Sequence, residues 1–208
     1  MSVSSSFALE YYNDPSTWRA TYWLGVPTAK CPLDLWIYQE ILTETRPDLI
    51  VETGTHMGGS ALFLASVCDQ LGNGSVLTID IVDRSDRPQH PRITYVSGSS
   101  TDPDVVAQIG HRVRLAERVM VILDSDHSEA HVFDELSQLG PMVSPDCYLI
   151  VEDTNVNGHP VEPGFGPGPA EALERYLDIA PPRFIVDRSR EKLLLTFNPG
   201  GYLRRMGP

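Results

Sequence analysis

The stretch VILDSDH, residues 121–127, is an apolar run of strand length that ends in two aspartates. The stretch LIVEDTN, residues 149–155, repeats the pattern and ends in a glutamate and an aspartate. Asp126 and Glu152 are 26 residues apart, about the length of one helical crossover between neighbouring parallel strands. Ligands bind where such strands end in open α/β sheets. We therefore expect Asp126, Glu152 and Asp153 to converge on one rim of a sheet.

Further apolar runs alternate with helical patterns along the chain, which predicts an α/β fold with a mainly parallel, doubly wound sheet. Toward the C-terminus, residues 184–186 and 193–197 are separated by a polar stretch, which predicts an antiparallel hairpin. The predicted strands are 48–52, 75–80, 92–96, 119–123 and 147–151, and the predicted helices are 60–71, 101–111, 129–139 and 169–180.

Residues 1–47 are rich in aromatic side chains. We expect them to form an N-terminal helical cap on one domain that spans residues 1–208. Pro32 can open a helix, and Arg46-Pro47 ends it. This segment either covers the active site or only packs against the domain, and the sequence does not decide between the two.

The composition limits the classes of function. The chain has 208 residues, enough for one α/β domain, and a formal net charge of −12 that argues against a nucleic-acid partner. The three cysteines form no CxxC pair, which indicates buried thiols in a reducing compartment. Because no signal peptide and no apolar run long enough for a membrane are visible, we expect a cytoplasmic protein with no membrane partner.

The loop after the first predicted parallel strand carries the pattern Glu52-x-Gly54-x-x-x-Gly58-x-Ser60, with Thr55 inside it. Glycines let a backbone approach a nucleotide closely, and a helix N-terminus offers free N–H groups. The third glycine of a dinucleotide fingerprint is missing, and the Glu52 carboxylate favours an ammonium or sulfonium group. Asp80, at the end of the next strand, can accept both ribose hydroxyls. S-adenosylmethionine fits both acids, although a purely structural loop is the alternative.

The acidic rim predicts a divalent cation. Oxygen ligands suit Mg²⁺ or Mn²⁺ better than zinc, and such an ion lowers the pKa of a bound hydroxyl. Helix caps and solvated turn acids are the alternative reading of these residues. His127, beside Asp126, is the first choice of general base, but it could equally orient a metal ligand.

Five ordered strings resemble the cephalosporin hydroxylase / rhamnosyl O-methyltransferase family. They are VETGT at 51–55, GSSTDP at 98–103, LDSDHS at 123–128, VEDTN at 151–155 and LTFNP at 195–199. The family belongs with the class I S-adenosylmethionine-dependent methyltransferases, so the resemblance implies a Rossmann-like seven-stranded fold, S-adenosylmethionine and magnesium. By match of motif, it implies Asp126, Glu152 and Asp153 as metal ligands, and Glu52, Gly54, Asp80, Ser99 and Asp124 around the cofactor.

These observations predict a metal-dependent O-methyltransferase that acts on a hydroxyl or vicinal diol of a small natural product, such as a rhamnosyl sugar. His127 and Asp126 are the predicted catalytic residues. The Gly- and Pro-rich residues 155–169 either shape the acceptor pocket or form a plain surface loop. The rival functions are an accessory partner of an antibiotic-tailoring enzyme, of the cephalosporin hydroxylation or methoxylation type, and an NAD-dependent oxidoreductase. The sequence also leaves open whether the protein forms a homo-oligomer.

Overall fold

The structure is a computed structural model that describes residues 3–179 and 183–207. Its six α-helices in the described residues are α1 (Val3–Asn13), α2 (Pro32–Thr45), α3 (Gly59–Leu71), α4 (Pro103–Val113), α5 (Glu129–Leu139) and α6 (Pro169–Ile179). The strands are β1 (Tyr22–Trp23), β2 (Val26–Pro27), β3 (Leu49–Thr53), β4 (Ser75–Asp80), β5 (Ile93–Ser97), β6 (Val119–Leu123), β7 (Tyr148–Val151), β8 (Phe184–Val186) and β9 (Tyr202–Arg205).

Seven strands form one sheet in the order β5-β4-β3-β6-β7-β9-β8. The first five are parallel, and β9 runs antiparallel to both β7 and β8. The chain reverses its direction of winding between β3 and β6, which lie side by side. The carboxyl ends of these two strands therefore meet at the switch point where open α/β sheets bind ligands. The predicted doubly wound, Rossmann-like sheet is confirmed.

Alternate residues of the parallel strands bury themselves on opposite faces of the sheet. Ile50, Met120 and Ile150 pack on one face against α2 and α3. The intervening Val51 and Val121 pack on the other face against α4, α5 and α6. Because both faces are covered, β3, β6 and β7 are buried along their whole length, as near-continuous apolar runs require.

The predicted C-terminal antiparallel hairpin is confirmed, but its second strand lies at β9 and not at residues 193–197. The partner of β8 is β9, and residues 193–197 form no strand. Leu194 adopts a left-handed φ of 66°, and the Phe197 N–H donates to the Asp34 carboxylate at 2.8 Å instead of to a neighbouring strand. Leu195 and Phe197 are buried against the N-terminal segment. These residues are therefore apolar because they are buried, and a buried loop can show the same apolar run as a strand.

The N-terminal segment wraps one end of the domain. Its helix α2 begins at Pro32 and ends at Thr45, before Arg46-Pro47, as predicted. Arg46 caps the helix in a left-handed conformation. The aromatic part before it contains α1 and the short β1–β2 ribbon, which the sequence pattern did not reveal. Tyr12 packs there against Cys31, Val156 and Phe197 in a small cluster separate from both faces of the sheet.

Among the described residues, no helix combines the length and the apolar character needed to cross a membrane. Cys31, Cys68 and Cys147 are buried free thiols, as predicted.

Candidate active site

A cavity of about 820 Å³ opens at the carboxyl ends of β3, β4, β5, β6 and β7. Six of the eight predicted cofactor residues line it, namely Gly54, Thr55, Ser60, Asp80, Ser99 and Asp124. The loops that follow the strands therefore gather these residues from distant parts of the sequence. Glu52 and Gly58 are not among the residues that line the cavity.

The glycine loop after β3 crosses very close to the end of β6. Gly54 has a φ of +85°, and a Cβ atom there would lie 1.7 Å from the backbone oxygen of Asp124. Only glycine fits at this point, for conformational and steric reasons together. The glycine at position 54 is therefore needed for the close contact between the ends of β3 and β6, and it also leaves room for a ligand.

Asp80, at the end of β4, closes the other side of this loop. Its carboxylate accepts hydrogen bonds from the backbone N–H groups of His56 at 2.7 Å and Val82 at 2.8 Å. The Arg87 guanidinium lies 3.1 Å from the same carboxylate. Protein groups therefore already hold Asp80 in place at the edge of the cavity.

Glu52 lies behind the cavity wall. The side chain is fully buried and accepts a hydrogen bond from the Thr78 hydroxyl at 2.7 Å. Its Oε1 has no hydrogen-bond partner among the residues that the structure describes. Burial raises the pKa of Glu52, and the positive charge of Lys30 opposes that rise. Glu52 is therefore not part of the cavity surface and can act on a ligand there only through its electrostatic field.

Asp124, His127 and Asp153 form a compact group at the ends of β6 and β7. One candidate ligand atom from each lies within 4.8 Å of the others. His127 Nε2 is 2.8 Å from Asp153 Oδ2 and 3.3 Å from Asp124 Oδ1. We call these three residues the acid cluster.

The two adjacent acids after β7 diverge. The strand ends at Val151, and Asp153 adopts a left-handed φ of 53°, so Glu152 and Asp153 both lie beyond the regular strand. Asp153 turns toward His127, whereas Glu152 turns inward and its Oε1 is 2.5 Å from Lys30 Nζ. Of the three predicted metal ligands, the structure places Asp153 in the acid cluster.

Asp126 lines the same cavity but is exposed and stands outside the acid cluster. Its Oδ1 accepts a hydrogen bond from the Ser128 N–H at 2.8 Å, immediately before α5. Hydrogen bonds from the side chain and the backbone N–H of Ser128 lower the pKa of Asp126. As placed here, Asp126 anchors the turn that carries His127, and its predicted roles as ligand and catalyst stay predictions.

Lys30 belongs to this site although no sequence pattern indicated it. Its ammonium bridges the carboxylates of Asp124 and Glu152, and only 5% of its side chain is exposed. The signal that could have found it is its rarity, since the acidic chain has only two lysines, Lys30 and Lys192. Its distance in sequence from both partners, 94 and 122 residues, explains why spacing did not reveal it.

The electrostatics of the acid cluster follow from burial. Burial raises the pKa values of Asp124 and Asp153, while Lys30 opposes the rise at Asp124 and His127 opposes it at Asp153. The pKa of Glu152 is raised by burial and by Asp124, against the effect of Lys30. Burial lowers the pKa of the Lys30 ammonium, but its carboxylate neighbours outweigh that effect and raise it. The site thus concentrates acids that need nearby positive charge to stay ionised.

A second buried carboxylate supports the loop after β6. Glu135, in α5, is fully buried and accepts a hydrogen bond from the Ser125 hydroxyl at 2.7 Å. His131 lies one turn earlier, 3.0 Å from the Ser100 hydroxyl, and its pKa is raised by Glu135. These contacts hold the residues on either side of the acid cluster, and the sequence analysis did not identify Glu135.

The N-terminal segment and the Gly- and Pro-rich loop both reach the cavity. Tyr12 and Trp18 line it from one side, and Val156 and Phe165 from the loop. Trp18 Nε1 donates to the Tyr12 backbone oxygen at 3.0 Å, and both rings pack against Phe197. The cavity therefore has an aromatic wall beside the acid cluster, contributed by segments outside the sheet.

Comparison with known proteins places this site in a family. The family model described as "Rhamnosyl O-methyltransferase/CmcI" matches residues 15–206. The chain belongs to this family. It is accordingly an S-adenosylmethionine-dependent O-methyltransferase by class. It is 42% identical over 209 aligned residues to "Rhamnosyl O-methyltransferase" of Mycobacterium tuberculosis, covering 98% of this chain and 85% of that protein. The protein of the same name from Mycobacterium leprae is 39% identical, with 98% of this chain and 91% of that protein covered.

Solved structures share the fold of this family member. A CmcI structure with Mg and SAM superposes with a TM-score of 0.69 at 22% identity, covering 91% of this chain and 78% of that chain. The MycE methyltransferase of the mycinamycin biosynthetic pathway, in complex with Mg, SAH and mycinamycin VI, superposes with a TM-score of 0.53 at 23% identity. That alignment covers 68% of this chain and 41% of MycE.

Proposed function

We propose that this protein transfers the methyl group of S-adenosylmethionine to a hydroxyl of a rhamnosyl-type sugar on a small natural product, with Mg²⁺ or Mn²⁺ as its metal. One observation carries the proposal: a single cavity joins the glycine loop and Asp80 to the acid cluster and an aromatic wall. The mycobacterial relatives, named rhamnosyl O-methyltransferases, support the sugar as the acceptor class.

The cofactor would occupy the end of the cavity at β3 and β4. Asp80 would accept its ribose hydroxyls, and the backbone of Gly54 and Thr55 would lie against it, since no side chain stands at Gly54. Ser60 and Ser99 offer further hydroxyls on the same wall. The buried carboxyl group of Glu52, where ionised, would favour a cationic donor even from behind the wall.

The acid cluster fits a divalent cation. Two carboxylates and an imidazole converge within 4.8 Å, and burial disfavours ionised acids there unless positive charge is close. Carboxylate oxygens suit Mg²⁺ and Mn²⁺. Asp124 and Asp153 are the ligands that the geometry favours, and Asp126 and Glu152 are the further candidates that the sequence pattern supplies. His127, the third member of the acid cluster, is left free of the metal as a base.

The chain's own residues would align and deprotonate the acceptor. The acceptor oxygen attacks the methyl carbon as the carbon–sulfur bond breaks, and the electron pair of that bond leaves on sulfur. We assign the acceptor proton to His127, because Asp124 and Asp153 beside it stabilise an imidazolium. A bound divalent cation would supply a Lewis acid that lowers the pKa of the acceptor hydroxyl. The aromatic wall would exclude water and hold the atoms in line.

The test is a methyl-transfer assay of the purified chain with S-adenosylmethionine and a panel of rhamnosides, read by mass spectrometry of the product. We expect methylated sugar, loss of activity on chelation and recovery with Mg²⁺ or Mn²⁺. Full activity after chelation would overturn the metal requirement. Cofactor binding without transfer to any acceptor would instead favour an accessory protein.

A further inference from the structure

Lys30 sits where a metal-dependent enzyme would be expected to avoid a cation. Its Nζ touches Asp124, a member of the acid cluster, and lies 2.5 Å from Glu152 Oε1. Asp124 divides its oxygens between two neighbours: Oδ2 faces Lys30, and Oδ1 faces His127. The ammonium and any divalent ion in the acid cluster would therefore share one carboxylate.

The position of Lys30 is fixed by its surroundings. The residue precedes α2 by two positions, and its backbone oxygen accepts from the Thr21 hydroxyl at 3.4 Å. Asp34, in the first turn of α2, accepts the Phe197 N–H and the Tyr202 hydroxyl, each at 2.8 Å. Because α2 is held to β9 and to the segment before it in this way, the backbone at Lys30 is fixed beside the site.

The charge balance explains what Lys30 does. Asp124, Glu152 and Asp153 would together carry three negative charges in a pocket that leaves only 18%, 6% and 22% of their side chains exposed, and burying unpaired charges is costly. One ammonium offsets a third of that charge before any metal arrives. The same ammonium repels an incoming divalent ion, because like charges at short range interact strongly in a low-dielectric site.

We propose that Lys30 is a positioning residue that holds Asp124 and Glu152 in place without metal and limits the affinity of the acid cluster for a divalent cation. The inference rests on the proposed function, since it requires the cation to bind at the acid cluster. It makes the N-terminal segment a determinant of metal affinity, although that segment supplies none of the three cluster residues.

The direct test is Lys30→Met, which keeps the bulk of the side chain and removes its charge. We expect the metal-free variant to unfold at a lower temperature than the wild type, because the buried Glu152 and the partly buried Asp124 lose their shared cation. Calorimetric titration of the variant should show Mg²⁺ and Mn²⁺ binding about tenfold more tightly than in the wild type. Mg²⁺ should therefore raise its unfolding temperature by more than it raises that of the wild type.

Two further variants separate charge from shape. Lys30→Arg retains the charge and should keep metal affinity close to that of the wild type. Lys192→Met removes the other lysine, which pairs with Glu40 on the surface, and should change neither metal affinity nor its effect on unfolding. Metal affinity that is equal or weaker in a folded Lys30→Met variant would overturn the inference.

A measurement on the wild type covers the case in which Lys30→Met does not fold. With ¹³C-labelled lysine, the protein gives side-chain signals from only two residues. Mg²⁺ should shift the Lys30 signal and leave the Lys192 signal in place, and a Lys30 signal unmoved at saturating Mg²⁺ would overturn the inference. Absence of metal binding in every variant would overturn the metal part of the proposed function and the inference with it. Binding that ignores Lys30 would overturn the inference alone.

Discussion

We proposed that the cavity holds the cofactor at β3 and β4, the cofactor end, and we call the opposite end, at the acid cluster, the acceptor end. Both ends are built from loops that follow parallel strands, but their acids have different partners. At the cofactor end, Asp80 is held by two backbone N–H groups and by Arg87. At the acceptor end, Asp124 and Asp153 depend on Lys30 and His127, and burial raises their pKa values. The first end is preformed by the fold, whereas the second concentrates acids whose ionised forms need nearby positive charge.

The largest effect should follow from removing one negative charge at the acceptor end. Asp153→Asn should lower kcat by at least about 100-fold, the upper range for residues that support a metal site. The affinity for S-adenosylmethionine, measured by tryptophan fluorescence, should stay nearly unchanged because Asp80 and the glycine loop are untouched. Asp102→Asn is the matched control, since Asp102 only caps α4.

A second pair of variants tests which acid after β6, Asp124 or Asp126, binds the metal. Asp124→Asn should weaken Mg²⁺ binding by about tenfold or more, because Asp124 is a member of the acid cluster. Asp126→Asn should have a smaller effect, because its carboxylate anchors the turn before α5. Calorimetric titration checks both. A larger loss for Asp126→Asn would favour the ligand set predicted from the sequence pattern over the one favoured by the geometry.

At the cofactor end, Asp80→Asn should raise KM for S-adenosylmethionine by about tenfold, as expected for one charge-assisted hydrogen bond. We expect kcat to change little, because Asp80 acts on binding and not on the reacting atoms. Steady-state kinetics with varied cofactor measure this split. Asp83→Asn, an exposed position in the same loop, should behave as the wild type. A fall in kcat with unchanged KM would contradict the division of the cavity into two ends.

The smallest effect should come from the aromatic wall. Phe165→Ala should raise KM for the sugar acceptor about threefold, the scale of one lost aromatic contact, and leave KM for the cofactor unchanged. Trp36→Ala removes an exposed aromatic residue of α2 that does not line the cavity. If Phe165→Ala and Trp36→Ala have the same acceptor KM, the loop of residues 155–169 has no part in acceptor binding.

The sequence predicted the sheet well because local patterns encode it. The runs at 75–80 and 119–123 coincide with β4 and β6, since strands buried on both faces leave a continuous apolar signature. The run at 193–197 misled because burial alone produces the same signature. There the Phe197 N–H bonds to a side chain from α2 rather than to a strand. Pairing with β9 depends on contacts that local periodicity does not record.

The sequence could predict which strand ends form the candidate site, but not how the side chains there are arranged. The sequence placed acids at the ends of β4, β6 and β7, and the topology brings those ends to one rim. It could not say which acid turns toward which neighbour: Glu152 and Asp153 are adjacent, yet one faces Lys30 and the other His127. That division depends on the backbone turn at Asp153 and on a lysine from a distant segment.

The most direct test of the acceptor end is anomalous diffraction at the manganese edge from crystals grown with Mn²⁺ and S-adenosylhomocysteine. We predict one strong peak within bonding distance of Asp153, flanked by Asp124 or His127, in the cavity shared with the cofactor. A cavity that holds the cofactor product but shows no manganese peak at these residues would contradict the account.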